Sequence, residues 1–466
     1  MNPDENINDM IENPKSTLFK LAIPTFISLG CIYTNSFLDS IWVSGLGHIE
    51  VTAVGLSSPI FILLTLIGIT IGTTVNISLS KAIAEKNVLE SQSIIKNVII
   101  VIIVLSVLIP LTVLPSLDII LNWIGVGVAY KASHDYLYIL ILFIGVIFIA
   151  ETIPFLLRLQ GYIKAPLYII VITSILNMIL DPIFIYYFNL RIEGAAIATV
   201  ISITISCFLL IIMLIITKGK YVSVGEHTYD LKRDLNVLKQ NLKIAIPILF
   251  QSISSLFFII ILNRFFVYEG LIYITAYSFV CKIFSLVSLP LNAFSSSMLS
   301  VIGFLIGAGK WDEIKPTFKY TFYISEICTL IPCMVIFLGS DFISATLYQT
   351  NDLLVINQIS LGLKFLSIFT IFGVGAFLVD SMFLSIEKQM RSFIIPFVGI
   401  VLDIIALCIM ELHFHIYNSV YYVLLVGSLV QIPVYYFIFR KDLREYLNRK
   451  KFSNPNEELN SEGYNG

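Results

Sequence analysis

The sequence predicts an all-α integral membrane protein: twelve transmembrane helices in two pseudo-symmetric six-helix lobes, related as a parallel repeat. Three observations predict this class. First, 57% of the 466 residues are hydrophobic and only 13% are charged, with a mean hydropathy of +0.91. A soluble chain carries roughly 25% charged residues, so these charges are too few to cover a water-facing surface. Second, twelve apolar runs each reach the roughly 20 residues that a bilayer-crossing helix needs, and they account for most of the chain. Third, the second half repeats the first at a nearly fixed offset of 223 residues.

The elements follow in order. The opening MNPDENINDMIENPKS is polar and acidic. It lacks a basic n-region and a cleavage site, so residues 1–16 are expected to be a tail and not a removed signal. The N-lobe, 17–217, holds apolar runs at 17–44, 51–80, 92–117, 132–157, 165–188 and 194–217. The longest polar interruption, KGKYVSVGEHTYDLKRDLN at 218–236, reads as a linker. The C-lobe, 237–440, holds runs at 240–267, 272–306, 317–338, 353–385, 392–412 and 418–439. The tail, 441–466, ends in SNPNEELNSEGYNG, a polar stretch expected to be disordered. Several runs exceed 25 residues and are expected to tilt or to project past the bilayer. The runs are continuous, whereas barrel strands alternate over about 10 residues.

Lys and Arg set the orientation, because cytoplasmic loops are enriched in both. With an even number of spans and both termini in the cytoplasm, 24 of the 29 basic residues fall inside. Only Lys131, Arg191 and Arg264 fall outside, and Lys282 and Lys364 lie within spans. The basic residues at 440–451 and in the linker suit contact with anionic lipid.

The repeat is carried by particular residues. Leu21-Ala22-Ile23-Pro24 recurs as Ile244-Ala245-Ile246-Pro247, and Thr52-Ala53 as Thr275-Ala276. Phe61 maps onto Phe284 and Leu66 onto Leu289. Two similar halves joined by a linker point to a transporter with its substrate path between them.

Charged residues inside a membrane are costly, by about 2.5–3.5 kcal/mol at mid-span, so each needs a reason. Asp39 in the first run and Asp181 in the fifth both belong to Asn-x-x-x-Asp stripes, with Asn35 and Asn177. Residues i and i+4 share one helix face, so both stripes are expected to face the N-lobe interior. Pro182 has no N–H and frees a carbonyl in the same turn. Thr199 follows the small residues Gly194-Ala195-Ala196, which allow close helix approach. Two carboxylates, an amide and a hydroxyl suit a hard cation such as Na+, which prefers oxygen ligands. They also suit a proton, because two close carboxylates in a low dielectric cannot both ionise easily. A polar cluster that only glues helices together is the structural alternative. In the repeat, Asp39 maps onto Leu262. At a local offset of 226, Asn177 maps onto Asp403 and Asp181 onto Leu407. Any cation site therefore belongs to the first half.

Glu151, Glu326, Asp380 and Asp403 are further intramembrane acids expected to line a substrate cavity for organic cations, among the 34 Phe and 23 Tyr. Lys282 and Lys364 are potential structural partners for them. The six cysteines lie in apolar runs without ligand spacing and read as small core residues. A net charge of -2 argues against a nucleic-acid partner. No phosphate-binding loop or catalytic constellation is present, which excludes the usual ATP-driven and enzymatic readings.

Several segments resemble the multidrug and toxic compound extrusion (MATE) family. They are Leu21-Ala22-Ile23-Pro24, Phe37-Leu38-Asp39-Ser40-Ile41-Trp42-Val43, Ala53-Val54-Gly55-Leu56, Arg158-Leu159-Gln160-Gly161, Leu180-Asp181-Pro182-Ile183 and Gly194 to Thr199. Ala245-Ile246-Pro247, Leu262-Asn263-Arg264, Thr275-Ala276-Tyr277 and Gly307-Ala308-Gly309 agree in the second half. The similarity covers about residues 17–440. It implies twelve helices in two lobes, alternating access, and export of organic cations in exchange for Na+ or H+, with no cofactor. Asp39, Asn177, Asp181 and Thr199 match the N-lobe cation site of the damage-inducible (DinF-like) branch. Gln251 stands where the NorM-like branch carries an acid in its seventh span. Asp380 lies near the acid which that branch uses in its tenth. The expected protein is a monomer in the plasma membrane of a prokaryote. A lipid-linked precursor flippase of the same superfold is the alternative, and it would want a basic cavity for pyrophosphate.

Overall fold

The computed structural model describes residues 3–124, 127–217, 230–347, 353–410 and 418–452. Among these residues every regular element is helical. The first nine helices are α1 (Pro3–Glu12), α2 (Pro14–Ser44), α3 (His48–Ala84), α4 (Val88–Ile124), α5 (Tyr130–Leu142), α6 (Ile144–Leu159), α7 (Ala165–Pro182), α8 (Arg191–Thr217) and α9 (Leu231–Glu269). They are followed by α10 (Leu271–Val287), α11 (Leu289–Gly307), α12 (Trp311–Leu347), α13 (Leu353–Ser385), α14 (Gln389–Cys408) and α15 (Ser419–Phe452). A π turn, Ile183–Tyr187, extends α7. Packing divides the chain into two units, Met1–Phe257 and Phe258–Gly466, so the division falls inside α9.

Eleven helices are long and apolar enough to cross a membrane, and twelve if α5 and α6, bent by 52°, form one span. These match the twelve predicted runs, with two breaks that apolar periodicity did not show. The fourth run breaks at Phe143, where Gly145 lies so close to Ser106 of α4 that a Cβ would come 2.6 Å from the Ser106 Cβ. The eighth run breaks at Ser288, just before Pro290 at the start of α11. Proline removes a helix hydrogen bond and clashes with the preceding turn. Its repeat counterpart, Ile67, leaves α3 unbroken.

Many large apolar side chains face outward, among them Leu111 (69% exposed) and Ile119 (72%) on α4 and Leu338 (76%) on α12. Lipid is the solvent that makes such faces favourable. In contrast, α11 is buried along most of its length, from Leu289 to Ile306. Its Ser295, Ser297, Ser300 and Gly303 are small enough for neighbouring helices to pack around it.

In the first unit, most of the polar N-terminal stretch is helical and packed. Residues 3–12 form α1, with Met10 fully buried and the Asn6 amide donating to the Gly161 carbonyl at 2.8 Å. Lys20 pairs with Asp9, and the Thr17 hydroxyl donates to the Asp9 carbonyl at 2.9 Å. Gly194 brings α8 onto the π turn, where a Cβ would lie 2.7 Å from the Phe184 carbonyl. The last residues of the expected linker are helical from Leu231. There Asp234 accepts hydrogen bonds from Ser93 (2.7 Å) and Lys96 (2.6 Å) of α4. Residues 218–229 of that linker lie outside the described residues.

The second unit is built on aromatic packing. Phe266 stacks on Tyr277 at 4.3 Å between centroids, and Tyr421 packs on Phe266 and Phe365. Helix α15 continues past residue 440 because its end is anchored. Arg391 pairs with the buried Asp442 at 2.7 Å, and Tyr446 meets Trp311 edge-on. The expected disordered stretch, 453–466, lies outside the described residues.

Two predictions follow from this packing. Gly194→Ala should lower the apparent Tm in detergent by several degrees, since its Cβ meets backbone that cannot rotate away. Gly30→Ala, where nothing lies within 4 Å of the added carbon, should leave the Tm unchanged or raise it. Equal melting of the two variants would show that the close approach at Gly194 is not rigid. The second prediction concerns α1. The hydrogen bonds from Lys20, then Asn13, hold the Asp9 carboxyl below its usual value of 3.8. That contribution is fully present above 3.8 and fades as pH falls through the lowered value. Hydrogen exchange over residues 3–12 should therefore gain protection from this pair at neutral pH and lose it under acid. An exposed pair is worth less than about 1 kcal/mol, so Asp9→Asn should raise exchange only a few-fold at neutral pH. Identical exchange in the two proteins would remove the pair from the account.

Candidate cation site

Helices α2 and α7 pack in parallel and in register. Asn35 lies against Asn177, Asp39 against Asp181, and Val43 against Ile185. The constant spacing follows from sequence, because both Asn-x-x-x-Asp stripes advance by about one turn and so stay on facing sides. The Tyr186 hydroxyl donates to the Trp42 carbonyl and closes the C-terminal end of the pair.

The hydrogen bonds run in one direction. The Asn35 amide donates to the Asn177 side-chain oxygen, and the Asn177 amide donates to Asp181 Oδ1 at 3.2 Å. The Asp39 and Asp181 carboxyls are within hydrogen-bonding reach of each other. Asn35 Oδ1, Asp39 Oδ1 and Asp181 Oδ2 are buried and receive no hydrogen bond. Asp181 is wholly buried, Asn177 nearly so, and Asp39 half-buried. Burying an acceptor without a donor costs about 1–3 kcal/mol, and more for a charged group. Two like charges 4 Å apart repel by about 4 kcal/mol at an effective dielectric of 20. A proton or a metal cation placed here would offset both costs.

Thr199 of α8 sits at the same depth. Val43, Ile185 and Ala195 form one buried apolar cluster, with Val54 and Tyr136 packed against it. Asp39, Asp181 and Thr199 are each four residues away from a member of that cluster, on the same side of it. The Thr199 hydroxyl donates to the Ala195 carbonyl at 3.0 Å, which leaves its lone pairs for a cation. No cluster of three or more His, Cys, Asp or Glu residues suited to a metal occurs among the described residues. The donor set, two carboxylates with amide and hydroxyl oxygens, fits Na+ better than a transition metal. Sequence reasoning missed Tyr136 of α5, which packs against this apolar cluster and lies within electrostatic reach of both Asp39 and Asp181. It belongs to no motif, so only the helix packing could bring it in.

The other expected residues are not part of this cluster. Glu151 of α6 lies against Gly68 of α3 and within Coulombic reach of Arg158. Arg158 donates to the Thr25 hydroxyl at 2.7 Å and lies over the Phe155 ring at 4.7 Å. Gln251 is half-buried on α9. In the second unit, Glu326 is half-buried on α12, and Asp403 of α14 accepts from Gln431 of α15 at 3.2 Å. Asp380 of α13 acts electrostatically on Tyr435, one turn beyond Gln431 on α15. Lys364 pairs with Asp341 at 3.1 Å, away from these acids. Where the repeat places Leu262 and Leu407 opposite Asp39 and Asp181, the two leucines are buried in a single apolar cluster. The second unit thus fills the equivalent position with hydrocarbon.

The chain resembles several known proteins. It is 22% identical over 313 residues to an FAD transporter of Shewanella oneidensis, covering 64% of the chain and 66% of that protein. It is 25% identical over 290 residues to the multidrug export protein MepA of Staphylococcus aureus, covering 60% and 62%. To the probable multidrug resistance protein YoeA of Bacillus subtilis it is 26% identical over 329 residues, covering 67% and 70%. The match thus spans just under two thirds of the first two relatives. Among solved structures, a transporter of the MOP superfamily from Pyrococcus furiosus superposes with a TM-score of 0.88 at 21% identity, covering 93% of this chain and 96% of that one. A MATE protein in a bent conformation gives 0.88 at 21%, covering 96% and 99%. These likenesses show the twelve-helix fold. The MatE family model matches residues 24–183 and 244–409, more than half of the chain, and the protein belongs to the MatE family.

Proposed function

We propose that this protein is a secondary active efflux antiporter that exports organic cations and other toxic compounds in exchange for Na+ or H+. It works by alternating access in the plasma membrane, as a monomer with both termini in the cytoplasm. One observation carries the reading: oxygens of Asn35, Asp39 and Asp181 lie buried together without a hydrogen-bond donor, while the two amides donate elsewhere along the stripes. Asp39, Asn177, Asp181 and Thr199 would hold the coupling ion, which neutralises the carboxyl pair when bound. With the pair neutral, Asp39 and Asp181 tolerate their close approach. With the pair charged, repulsion drives α2 and α7 apart.

Both helices have a place to yield. Helix α2 contains Pro24, and α7 ends at Pro182 before the π turn; prolines and π turns are the usual sites of kinks. The MATE structures in bent and straight conformations suit such a movement. Glu151, Gln251, Glu326, Asp380 and Asp403 are proposed to contact substrate. The relative named as an FAD transporter raises an anionic cargo, and the lipid-linked flippase would carry one too. In the first unit, however, the deeply placed charges are Asp39, Asp181 and Glu151 against Arg158, and Arg158 is already tied to Thr25. That balance favours a cationic cargo.

Purified protein in liposomes, loaded with a cationic dye and given a Na+ or a proton gradient, tests the proposal. Asp39→Asn and Asp181→Asn should each abolish gradient-driven efflux while the protein still folds and inserts. Asp403→Asn should give a partial, substrate-dependent defect, since its partner is the neutral Gln431. Wild-type efflux in both N-lobe variants would remove the cation site. Complete loss of coupling in Asp403→Asn would move it to the second unit.

A further inference from the structure

Five hydroxyls on α3, those of Thr52, Ser58, Thr65, Thr70 and Thr74, donate to the carbonyl four residues back. This is the ordinary way in which a hydroxyl is satisfied inside an apolar helix. Ser57 is different. Its side chain is fully buried and its Oγ has no hydrogen-bond partner; the Ala53 carbonyl, four residues back, accepts from the Ser133 hydroxyl at 3.5 Å.

The register of α3 shows where that oxygen lies. Val54 packs against the apolar cluster of Val43, Ile185 and Ala195, and Phe61 packs lower down, against Leu140, Ala196 and Val200. Residues 54, 57 and 61 share one face of a helix. Ser57 therefore stands about one turn below Val54, as Asp39 stands below Val43, Asp181 below Ile185 and Thr199 beyond Ala195. Four helices thus place polar side chains at one depth beneath a common apolar layer. Three oxygens at this depth, Asp39 Oδ1, Asp181 Oδ2 and Ser57 Oγ, are buried with no partner.

The repeat points the same way. At the offset of 223, Ser57 maps onto Val280 and Asn35 onto Phe258, as Asp39 maps onto Leu262. Val280 is fully buried in apolar packing, and Phe258 packs against the cluster that holds Leu262 and Leu407. Where the second unit has no carboxyl pair, it has no serine either.

We propose that the Ser57 hydroxyl is a further oxygen ligand for an alkali cation held by Asp39 and Asp181. The inference rests on the cation-site reading above and deepens it, because a proton shared by two carboxyls needs no added ligand, whereas Na+ is best held by several oxygens. Ser57 then biases the site towards the metal ion.

Binding of Na+ alone tests this without transport. Protein in detergent at fixed pH is titrated with NaCl against choline chloride, and the apparent Tm is followed, since a ligand of the folded state raises it with concentration. Wild type should be stabilised by Na+. Ser57→Ala should need about tenfold more Na+ for the same shift, with an unchanged Tm in choline. Ser57→Thr should restore the response. Ser57→Cys, close in size but offering a soft sulfur, should behave like Ser57→Ala and guards against a packing effect of the truncation. Asp181→Asn should lose the Na+ response. Wild-type Na+ affinity in both Ser57→Ala and Ser57→Cys, with Asp181→Asn unresponsive, overturns the role of Ser57 and leaves the carboxyl site standing. An unaltered Na+ response in Asp181→Asn overturns the site itself. A wild-type protein without any Na+ response overturns the alkali-cation ligand.

Discussion

The Asp39 and Asp181 carboxyls lie within hydrogen-bonding reach of each other inside an apolar helix bundle, and Asp39 Oδ1 and Asp181 Oδ2 are buried without a donor. Much else in the first unit is arranged around that constraint. Two ionised carboxylates at such a distance would repel by several kcal/mol at any plausible interior dielectric, a sizeable fraction of a protein's net stability. In the proposed function the close arrangement belongs with a bound proton or cation, and losing that ion would push the two carboxyls apart. Such a pair is a two-state element that an ion can bias.

In the proposed cycle the surrounding backbone would convert that bias into movement. Asp39 stands about four turns beyond Pro24, and Asp181 directly precedes Pro182 and a π turn. At the opposite end of α2, the Thr25 hydroxyl next to Pro24 accepts from Arg158 of α6, so the bend point is itself gripped from outside the helix. Gly194 lets α8 lie against the π turn, which couples Thr199 to whatever α7 does. The second unit shares the helix order but fills the matching positions with Leu262, Leu407 and stacked aromatic rings. In the proposed cycle one half carries the coupling chemistry, and acids such as Asp403 in the other half act on substrate.

The class of fold was legible because lipid imposes a coarse rule. A span must be long and apolar, and all twelve runs obeyed it. The carboxyl stripes were legible for the related reason that a charge in lipid stands out. The parallel register of α2 and α7 was not written in either helix alone, although the identical Asn-x-x-x-Asp spacing in both was its trace. The breaks at Phe143 and Ser288 escaped notice because hydropathy is blind to them. One depends on the contact between Gly145 and Ser106 and the other on Pro290, whose position next to the break only the backbone reveals. The packing of α1 is not legible in residues 1–16 alone, because the burial of Asn6 and Met10 is set by a docking surface some 150 residues away. Tyr136 and Ser57 carry no charge and sit in no motif. Each gains meaning only from what packing leaves beside it.

In the proposed antiport, a neutralised carboxyl pair would exclude a bound cationic drug, because export of one is driven by entry of the other. The most direct measurement is the affinity of purified protein for a fluorescent cationic drug, taken in detergent across pH at fixed Na+ and across Na+ at fixed pH. The account predicts that affinity falls as either ion rises, and that Asp39→Asn flattens both dependences. Drug affinity indifferent to both ions, or an ion dependence that survives in Asp39→Asn, would contradict it.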